Sequence, residues 1–228
     1  MMQNEREAVQ GRDGIGKQCR DGRGGQVLGI TGGAGAGKSL LLNHLRETYG
    51  ANVIVCDRVA EELQAPGGPC CGPMIALLGD DVVREDGTFD RAKIAAMVFH
   101  DEKMLRDLNA IVHPAVMEEV KRRIALSEGR LTVIESALLL EAGYREICDE
   151  VWYVYARDDI RAARLAAGRG YTKERIRAVF AAQKDDAFYR EQCDYVIDNT
   201  DGPDSMYEQA DRGLREHGFM YDRQREQW

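Results

Sequence analysis

Residues 27–45, which read VLGITGGAGAGKSLLLNHL, constrain the fold more than any other stretch. They contain Gly32-x-x-x-x-Gly37-Lys38-Ser39, the spacing of a phosphate-binding P-loop. A β-type apolar run stands before the glycines, and leucines that favour a helix follow them. Glycines between a strand and a helix let successive backbone N–H groups point into one concavity at the helix N-terminus. The stretch therefore predicts an anion site, and the alternative is a glycine-rich turn that binds nothing.

The motif also predicts which groups hold a nucleotide. Lys38 is expected to reach the β- and γ-phosphates of ATP, and the Ser39 hydroxyl is expected to bind the Mg²⁺ that bridges them. The predicted ATP-binding residues are Gly33, Ala34, Gly35, Ala36, Gly37, Lys38, Ser39, Leu40 and Asn199. Asn199 follows the last predicted strand, where a loop can pass the adenine, although an Asn turn needs no ligand to explain it.

A second match to G-x-x-x-x-G-K runs from Gly11 to Lys17 but lacks the Ser or Thr that should follow. It also lacks a preceding apolar strand, because residues 5–10 are mostly polar, so we interpret it as a chance match. Residues 1–25 are rich in Gly, Arg, Gln and Asp and have no apolar period. They are therefore expected to form a disordered N-terminal extension.

Composition narrows the class of protein. The 228 residues are 44% hydrophobic and 31% charged, which suits one globular domain. A formal net charge of −8 argues against nucleic-acid and membrane-surface partners, and no apolar run reaches the roughly 18 residues of a membrane span. The N-terminus lacks the apolar segment of a signal peptide, so we expect a cytoplasmic protein, and no obligate protein partner is evident.

The six cysteines form no C-x-x-C pair, which favours reduced thiols over disulfides or a metal site.

Apolar runs and helical patterns alternate from residue 26 onward. The runs at 27–30, 52–56, 131–135, 151–155 and 195–197 predict strands. Predicted helices lie at 58–63, 74–78, 91–99, 102–112, from Pro114 onward, and at 158–167, 173–183 and 208–217. Alternation of this kind implies parallel crossovers, so the sequence predicts an α/β fold with five parallel strands and helices on both faces. Ligands of such a fold bind at the carboxyl edge of the sheet.

Two carboxylates are predicted at that edge. Asp57 follows the second predicted strand, where a carboxylate can orient an attacking hydroxyl and accept its proton. Asp57 also stands where a helix N-cap is expected, and the sequence leaves both roles open. Glu135 ends the third predicted strand, from which an acid can approach Mg²⁺, often through water. Because many apolar strands end in Glu, this second signal is less specific.

Arginines crowd the segment that follows the fourth predicted strand, and they are Arg157, Arg161, Arg164, Arg169, Arg175 and Arg177. A mobile helical pair that carries arginines can close over phosphates, whereas a solvated helix face is the ordinary explanation of such a run. We interpret all of them except Arg164 and Arg169 as a solvated face. Gly168 is expected to end the first helix, with Arg164 on that helix and Arg169 on the following loop. His113, which lacks a nearby His or Cys for metal binding, favours a structural or substrate-contacting role.

Several fragments between residues 27 and 199 together resemble the dephospho-coenzyme A kinase family. They are ITGGAGAGKS, NVIVCDRVAEEL with PGGP, GTFDRAKIAAMVFHDE, NAIVHPAV, ESALLLEAG, CDEVWYVYA, RLAAGR, AAQ and DYVIDN. The P-loop is shared by many proteins, but FDR with VF, VHP, LLLE and VIDN is specific to this family.

This resemblance implies ATP-dependent phosphorylation of the ribose 3′-hydroxyl of dephospho-coenzyme A, the last step of coenzyme A synthesis. It implies a three-layer α/β/α P-loop kinase domain at 26–202, with a helical acceptor-binding region at about 58–128 and an arginine-bearing lid at about 157–185. A C-terminal helix and tail would occupy 203–228. The implied catalytic residues are Lys38, Asp57, Arg164 and Arg169, and the implied substrate contacts are Asp57, His113, Leu138 and Glu141.

The chain departs from the family pattern in three places. Val55 stands where the first acid of Asp-x-Asp is usual, which leaves Asp57 as the candidate base. Glu135 and Ala137 replace the usual Asp and Pro of D-x-P-L-L-x-E, and Leu40 replaces a Thr. These departures bear on the Mg²⁺ contacts more than on the reaction. Two other functions stay open: another small-substrate P-loop kinase, such as a nucleoside monophosphate kinase, and a nucleotide-binding switch without transferase activity.

Overall fold

A computed structural model describes residues 25–99, 101–127 and 131–219. Its strands are β1 Val27–Thr31, β2 Asn52–Val55, β3 Thr132–Glu135, β4 Glu150–Tyr155 and β5 Tyr195–Asp198. Its helices are α1 Lys38–Tyr49, α2 Cys56–Gln64, α3 Cys71–Leu78, α4 Arg91–Phe99, α5 Glu102–Ala125, α6 Asp158–Arg169, α7 Lys173–Ala181, α8 Asp186–Gln192 and α9 Pro203–Glu216. The second G-x-x-x-x-G-K match and nearly all of the predicted N-terminal extension lie outside the described residues.

The five strands form one parallel sheet in the order β2-β3-β1-β4-β5, which confirms the predicted α/β architecture. The register places Glu135 at the end of β3 between Ile30 of β1 and Val55 of β2. Because β1 continues directly into the glycine loop, the last residue of β3 and the segment after β2 emerge beside that loop. The carboxyl edge of the sheet thus gathers three segments that are far apart in sequence.

Alternation along the strands buries both faces of the sheet, as predicted. Leu28 and Ile30 of β1 pack with residues of α1 and α9, such as Leu41 and Leu214. On the opposite face, Val27, Ile54 and Ile134 pack against α2 and the second half of α5. Helix α2 contributes Val59, and α5 contributes Val116, Val120 and Ile124. Side chains that alternate across a strand point to opposite faces, so the chain forms three layers.

The helices between β2 and β3 have a separate small core. It is built around Cys70, Met74, Leu78, Val82 and Phe89, and the first half of α5 packs against it. The expectation that Pro114 begins a new helix is wrong, because α5 continues through it from Glu102 to Ala125. Proline removes one backbone hydrogen bond, but packing of α5 in one core before Pro114 and in another after it offsets that loss.

Other helix boundaries also differ from those predicted, and one helix was missed. The helix expected to end at Gly168 continues to Arg169, and Gly170 caps it with a φ of 63°. The C-terminal helix begins at Pro203 rather than at residue 208, because proline is well suited to the first helical turn. Helix α8, whose N-cap Asp185 accepts a hydrogen bond from the Phe188 N–H, was not predicted. Its capping signal is visible in the sequence, but its seven residues give too short an apolar period to recognise.

The described cysteines are free thiols, as expected, and burial raises the pKa values of Cys56, Cys148 and Cys193 to about 12 each. These thiols are therefore protonated and unreactive at neutral pH. Cys19 lies outside the described residues. None of the helices in the described part of the chain is long and apolar enough to cross a membrane.

Gly213 in α9 provides a test of this packing. A Cβ atom there would lie 2.9 Å from Trp152 Cη2 and 2.9 Å from Tyr195 Cε1. Alanine gains about 1 kcal/mol over glycine inside a helix, but overpacking a core costs about 1–3 kcal/mol. We expect Gly213→Ala to lower the melting temperature. The matched control is Gly168→Ala in α6, where a Cβ atom meets nothing within 4 Å. Equal melting temperatures for the two variants would contradict the packing of α9 on Trp152.

Candidate active site

The glycine loop lies between β1 and α1, as the motif predicts. Gly35 and Gly37 adopt φ values of 80° and 102°, a region that residues with a Cβ atom rarely enter. Gly37 is also the N-cap of α1, and no side chain caps this helix. The first turn of α1 contains no acidic residue. The positive end of the helix dipole is therefore free to meet an anion.

Lys38 is held at the mouth of this loop. Its Nζ atom donates to the Gly32 carbonyl at 2.8 Å and lies 3.5 Å from a Glu135 carboxylate oxygen. Their side chains are only 14% and 12% exposed. Burial lowers the pKa of Lys38, while the charges of Glu135 and Asp57 act in the opposite direction. The ammonium is thus stabilised by acidic neighbours in a site that would otherwise favour its neutral form.

Glu135 experiences the converse environment. Burial raises its pKa, attraction to Lys38 opposes that shift, and repulsion from Asp57 adds to it. One ammonium and two carboxylates therefore interact at the end of the sheet. In the described part of the chain, no three or more His, Cys, Asp or Glu side chains lie close enough together to hold a metal ion.

Asp57 is the second residue of α2 and is exposed. The N-cap of α2 is Val55, and no side chain caps the helix. The N-cap interpretation of Asp57 is therefore wrong, because α2 begins at Cys56, where the strand had been expected to continue. Asp57 still influences the pKa values of both Lys38 and Glu135, which places its charge beside theirs.

Arg164 connects α6 to the loop. Its guanidinium donates to the Asn199 carbonyl at 2.9 Å and to the carbonyls of Ala36 and Gly35 at 3.4 and 3.5 Å. The buried Asn199 side chain donates to the same Ala36 carbonyl at 2.7 Å. Arg164 and Asn199 therefore brace the second half of the P-loop together.

Arg169 occupies a different position. As the last residue of α6, it lies on the helix rather than on the loop where it was expected. It is exposed and donates a hydrogen bond to Tyr171, which lowers the pKa of that phenol. Arg175 stacks on the same ring at 4.0 Å. The structure therefore brings Arg164, but not Arg169, into contact with the P-loop.

Arg161 was assigned to a solvated helix face, and that interpretation is wrong. Its Nε atom donates to the Ala34 carbonyl at 3.0 Å, and its Nη2 atom donates to Gln183 Oε1 at 2.5 Å. The guanidinium also lies 4.3 Å from the centre of the Phe180 ring. A usable signal was present in the sequence, because Arg161 precedes Arg164 by three residues and shares its helix face.

The three remaining expected substrate contacts are exposed. His113 lies in the middle of α5, whereas Leu138, which is 54% exposed, and Glu141 lie in the turns after β3. The charge of Glu141 contributes to the raised pKa of Tyr189, although burial is the larger cause. Ser39 and Leu40 lie in the first turn of α1 with exposed side chains.

Comparison with known proteins identifies the family. The sequence model of the dephospho-CoA kinase family matches residues 26–204. The chain is 34% identical over 186 residues to the dephospho-CoA kinase of Shouchella clausii, covering 80% of this chain and 94% of that protein. It is 36% identical over 187 residues to that of Aromatoleum aromaticum, covering 82% and 91%.

Solved structures share the fold of this chain. TT1252 from Thermus thermophilus superposes with a TM-score of 0.76 at 28% identity and covers 84% of this chain and 97% of its own. A dephospho-CoA kinase from Campylobacter jejuni, at 16% identity and a TM-score of 0.56, shares the fold over 85% of this chain and 98% of its own. The chain therefore belongs to the dephospho-CoA kinase family and is a kinase.

Proposed function

We propose that this chain transfers the γ-phosphoryl group of ATP to the ribose 3′-hydroxyl of dephospho-CoA, which gives CoA and ADP. The observation that carries the proposal is the grouping of Lys38, Glu135 and Asp57 beside the uncapped N-terminus of α1. An uncapped helix end and a buried ammonium suit phosphates, and a nearby exposed carboxylate suits an acceptor hydroxyl.

The described residues fit ATP and Mg²⁺. The backbone from Gly33 to Leu40 would cradle the phosphates, and the buried Asn199 Oδ1, which lacks a donor among the described residues, offers an acceptor near the loop. Mg²⁺ keeps several waters and binds through few protein groups plus phosphates. The Ser39 hydroxyl would be its direct ligand, and Glu135 would reach it through water. When bound, the ion would neutralise the negative charge that develops on the phosphates.

In the proposed reaction, Asp57 accepts the proton of the 3′-hydroxyl as that oxygen bonds to the γ-phosphorus. The bond from the γ-phosphorus to the β-γ bridging oxygen breaks, and its electrons leave on ADP. Lys38 and the arginines of the lid neutralise the charge that the equatorial oxygens carry. The chain then supplies position and charge but no covalent intermediate.

The acceptor would lie against the helices between β2 and β3, at about 58–128. Their separate core gives them a surface distinct from the nucleotide loop. His113, Leu138 and Glu141 are proposed substrate contacts because they are exposed on α5 and on the turns after β3, and Asp57 completes the set. The proposed lid, at about 157–185, comprises α6, α7 and the segments beside them.

The two lid arginines should behave differently when replaced. Arg164→Ala removes the donor to the carbonyls of Gly35 and Asn199, while the Ala36 carbonyl keeps its bond from the Asn199 side chain. We therefore expect the free energy of unfolding to fall by about 1–3 kcal/mol and the KM for ATP to rise. Arg169→Ala removes an exposed side chain, so stability should change by less than about 0.5 kcal/mol. Its kcat should fall by about 10- to 10²-fold, the equivalent of one charge-assisted hydrogen bond. A kcat for Arg169→Ala equal to wild type would remove Arg169 from the catalytic set.

The direct test of the proposed function is ADP release in the presence of ATP, Mg²⁺ and one acceptor at a time. Dephospho-CoA should support release, and the product should match authentic CoA in mass and in its ³¹P spectrum. Nucleoside monophosphates serve as the competing acceptors. Release that depends on one of them instead would replace the proposed substrate, and ATP binding without release for any acceptor would favour a nucleotide-operated switch.

A further inference from the structure

Arg161 of α6 is largely buried and bonds to several other residues, unlike an ordinary surface arginine. Its side chain is only 13% exposed, and it bonds to Ala34, Gln183 and Asp158. Gln183 Oε1 also accepts from the Ala34 N–H at 3.4 Å. The Arg161–Gln183 pair therefore engages both backbone groups of one P-loop residue.

The guanidinium lies on the part of the loop where the terminal phosphate is expected. Its Nη2 atom stands so close to Gly33 that a Cβ atom there would collide with it. Lys38 Nζ contacts the carbonyl of the preceding residue, Gly32. Two cationic groups thus flank residues 32–34, and the repulsion between them contributes to the lowered pKa of Lys38. A P-loop lysine reaches the β- and γ-phosphates, so a cation beside it is near the γ-phosphoryl position.

The charge of Arg161 is incompletely balanced in the protein itself. Asp158, the carboxylate with which it forms an ion pair, has a side chain that is 75% exposed and therefore screened by solvent. Gln183 and the Ala34 carbonyl are neutral. Burying a guanidinium next to an ammonium raises the free energy of the folded protein unless an anion binds between them. A phosphoryl group would supply that negative charge.

Arg161 also keeps donors free. A guanidinium has five N–H groups, and the contacts to Ala34, Gln183 and Asp158 use three of them. One N–H on Nη1 and one on Nη2 stay available. The stacking of Phe180 and the bond to Gln183 fix the plane of the guanidinium, so its remaining donors are oriented before a ligand arrives.

We propose that Arg161 is a catalytic residue that donates to the transferring γ-phosphoryl group, and that Gln183 is its positioning residue. This proposal rests on the proposed kinase reaction and adds to it an arginine supplied in cis. Arg161 contributes most when charge spreads over the equatorial oxygens of the transferring group, and Lys38 holds the phosphates in both ground state and transition state. Arg164 contacts the carbonyls of the other half of the loop.

Arg161→Ala and Arg161→Lys test the proposal, with Arg177→Ala as the matched control on an exposed position of α7. We expect Arg161→Ala to lower kcat on the order of 10²-fold with a much smaller change in the KM for ATP. Arg161→Lys should recover only part of that loss, because an ammonium cannot reproduce the fork that contacts Gln183 and a phosphoryl oxygen together. Arg177→Ala should match wild type.

A readout other than turnover separates catalysis from bracing. Calorimetry compares the binding of ADP alone with the binding of ADP, Mg²⁺, aluminium fluoride and dephospho-CoA, which mimic the transferring group. We expect Arg161→Ala to bind ADP as wild type does and to bind the mimic at least about tenfold more weakly. Gln183→Leu should show the same pattern to a lesser degree, because the guanidinium loses its fixed plane.

A purely structural role would give the opposite pattern. Equal losses of affinity for ADP and for the mimic, with kcat unchanged in Arg161→Lys or Arg161→Ala, would overturn the proposal. If wild type transfers to another acceptor instead of dephospho-CoA, the proposed substrate is wrong, while the same comparison with that acceptor still decides the role of Arg161.

Discussion

Lys38→Ala is expected to reduce phosphoryl transfer by at least about 10³-fold and to weaken ATP binding. The loop amides carry only partial charges, whereas the ammonium places a full charge beside the β- and γ-phosphates. The substitution also leaves the Glu135 carboxylate without the cation that lies 3.5 Å from it. An anion would then meet a site that has lost its full positive charge and keeps the Asp57 carboxylate nearby.

The measurements are steady-state kcat and the calorimetric affinity for a non-hydrolysable ATP analogue. Lys17→Ala is the matched control, since Lys17 ends the second G-x-x-x-x-G-K match, and it should behave as wild type. The fold should persist in Lys38→Ala, because burial already raises the pKa of Glu135 and the unpaired carboxyl can take up a proton. Turnover near the wild-type value would exclude the P-loop from the mechanism.

Asp57→Asn is expected to lower kcat by about 10²–10⁴-fold while leaving the fold intact. Asparagine keeps the shape of the side chain but cannot accept the proton of the acceptor hydroxyl. Asp57 does not cap α2, because the N-cap is Val55, and losing its charge from the first turn should cost no more than about 0.3–1 kcal/mol. The loss of activity therefore reports on proton transfer rather than on helix stability.

Glu61→Gln is the control for Asp57→Asn, because Glu61 is an exposed carboxylate on the same helix and pairs with Arg91 at 3.0 Å. It should retain wild-type kcat and, as a surface pair, change stability by less than about 1 kcal/mol. Melting curves of both variants accompany the kinetics. Normal turnover by Asp57→Asn with an unchanged melting curve would show that another group accepts the proton.

The sequence predicted the parts of the fold whose signals are local. The P-loop, the five strands and the helices on both faces follow from short apolar periods and glycine spacing, and the structure confirms them. The path of α5 through Pro114 was not predictable in this way, because it depends on two cores that form only when distant segments meet. Local propensity is a weak prior that such packing overrides.

In the candidate site, too, the residues with local sequence signals were predicted, and those whose positions depend on tertiary packing were not. Lys38, Glu135 and Asp57 were expected at one sheet edge, since carboxyl ends of parallel strands share that edge. The different positions of Arg161 and Arg169 required knowledge of where α6 ends and which of its turns faces the loop. The α6 boundary at Gly170 rather than Gly168 adds residues 168 and 169 to the helix and keeps Arg169 close to Tyr171 instead of the P-loop.

The continuity of α5 limits how the proposed substrates can be brought together. At 24 residues, the helix is a rod of about 36 Å, anchored on the sheet at one half and on the acceptor-side core at the other. An acceptor bound at that core would be held in a fixed position relative to the sheet, because α5 is continuous through Pro114. On the side of the proposed lid, α6 contacts the loop through the polar bonds of Arg161 and Arg164 and through the buried Leu165. We therefore expect α6 and α7, with their arginines, to move toward a bound acceptor, and we do not expect the acceptor to move toward them.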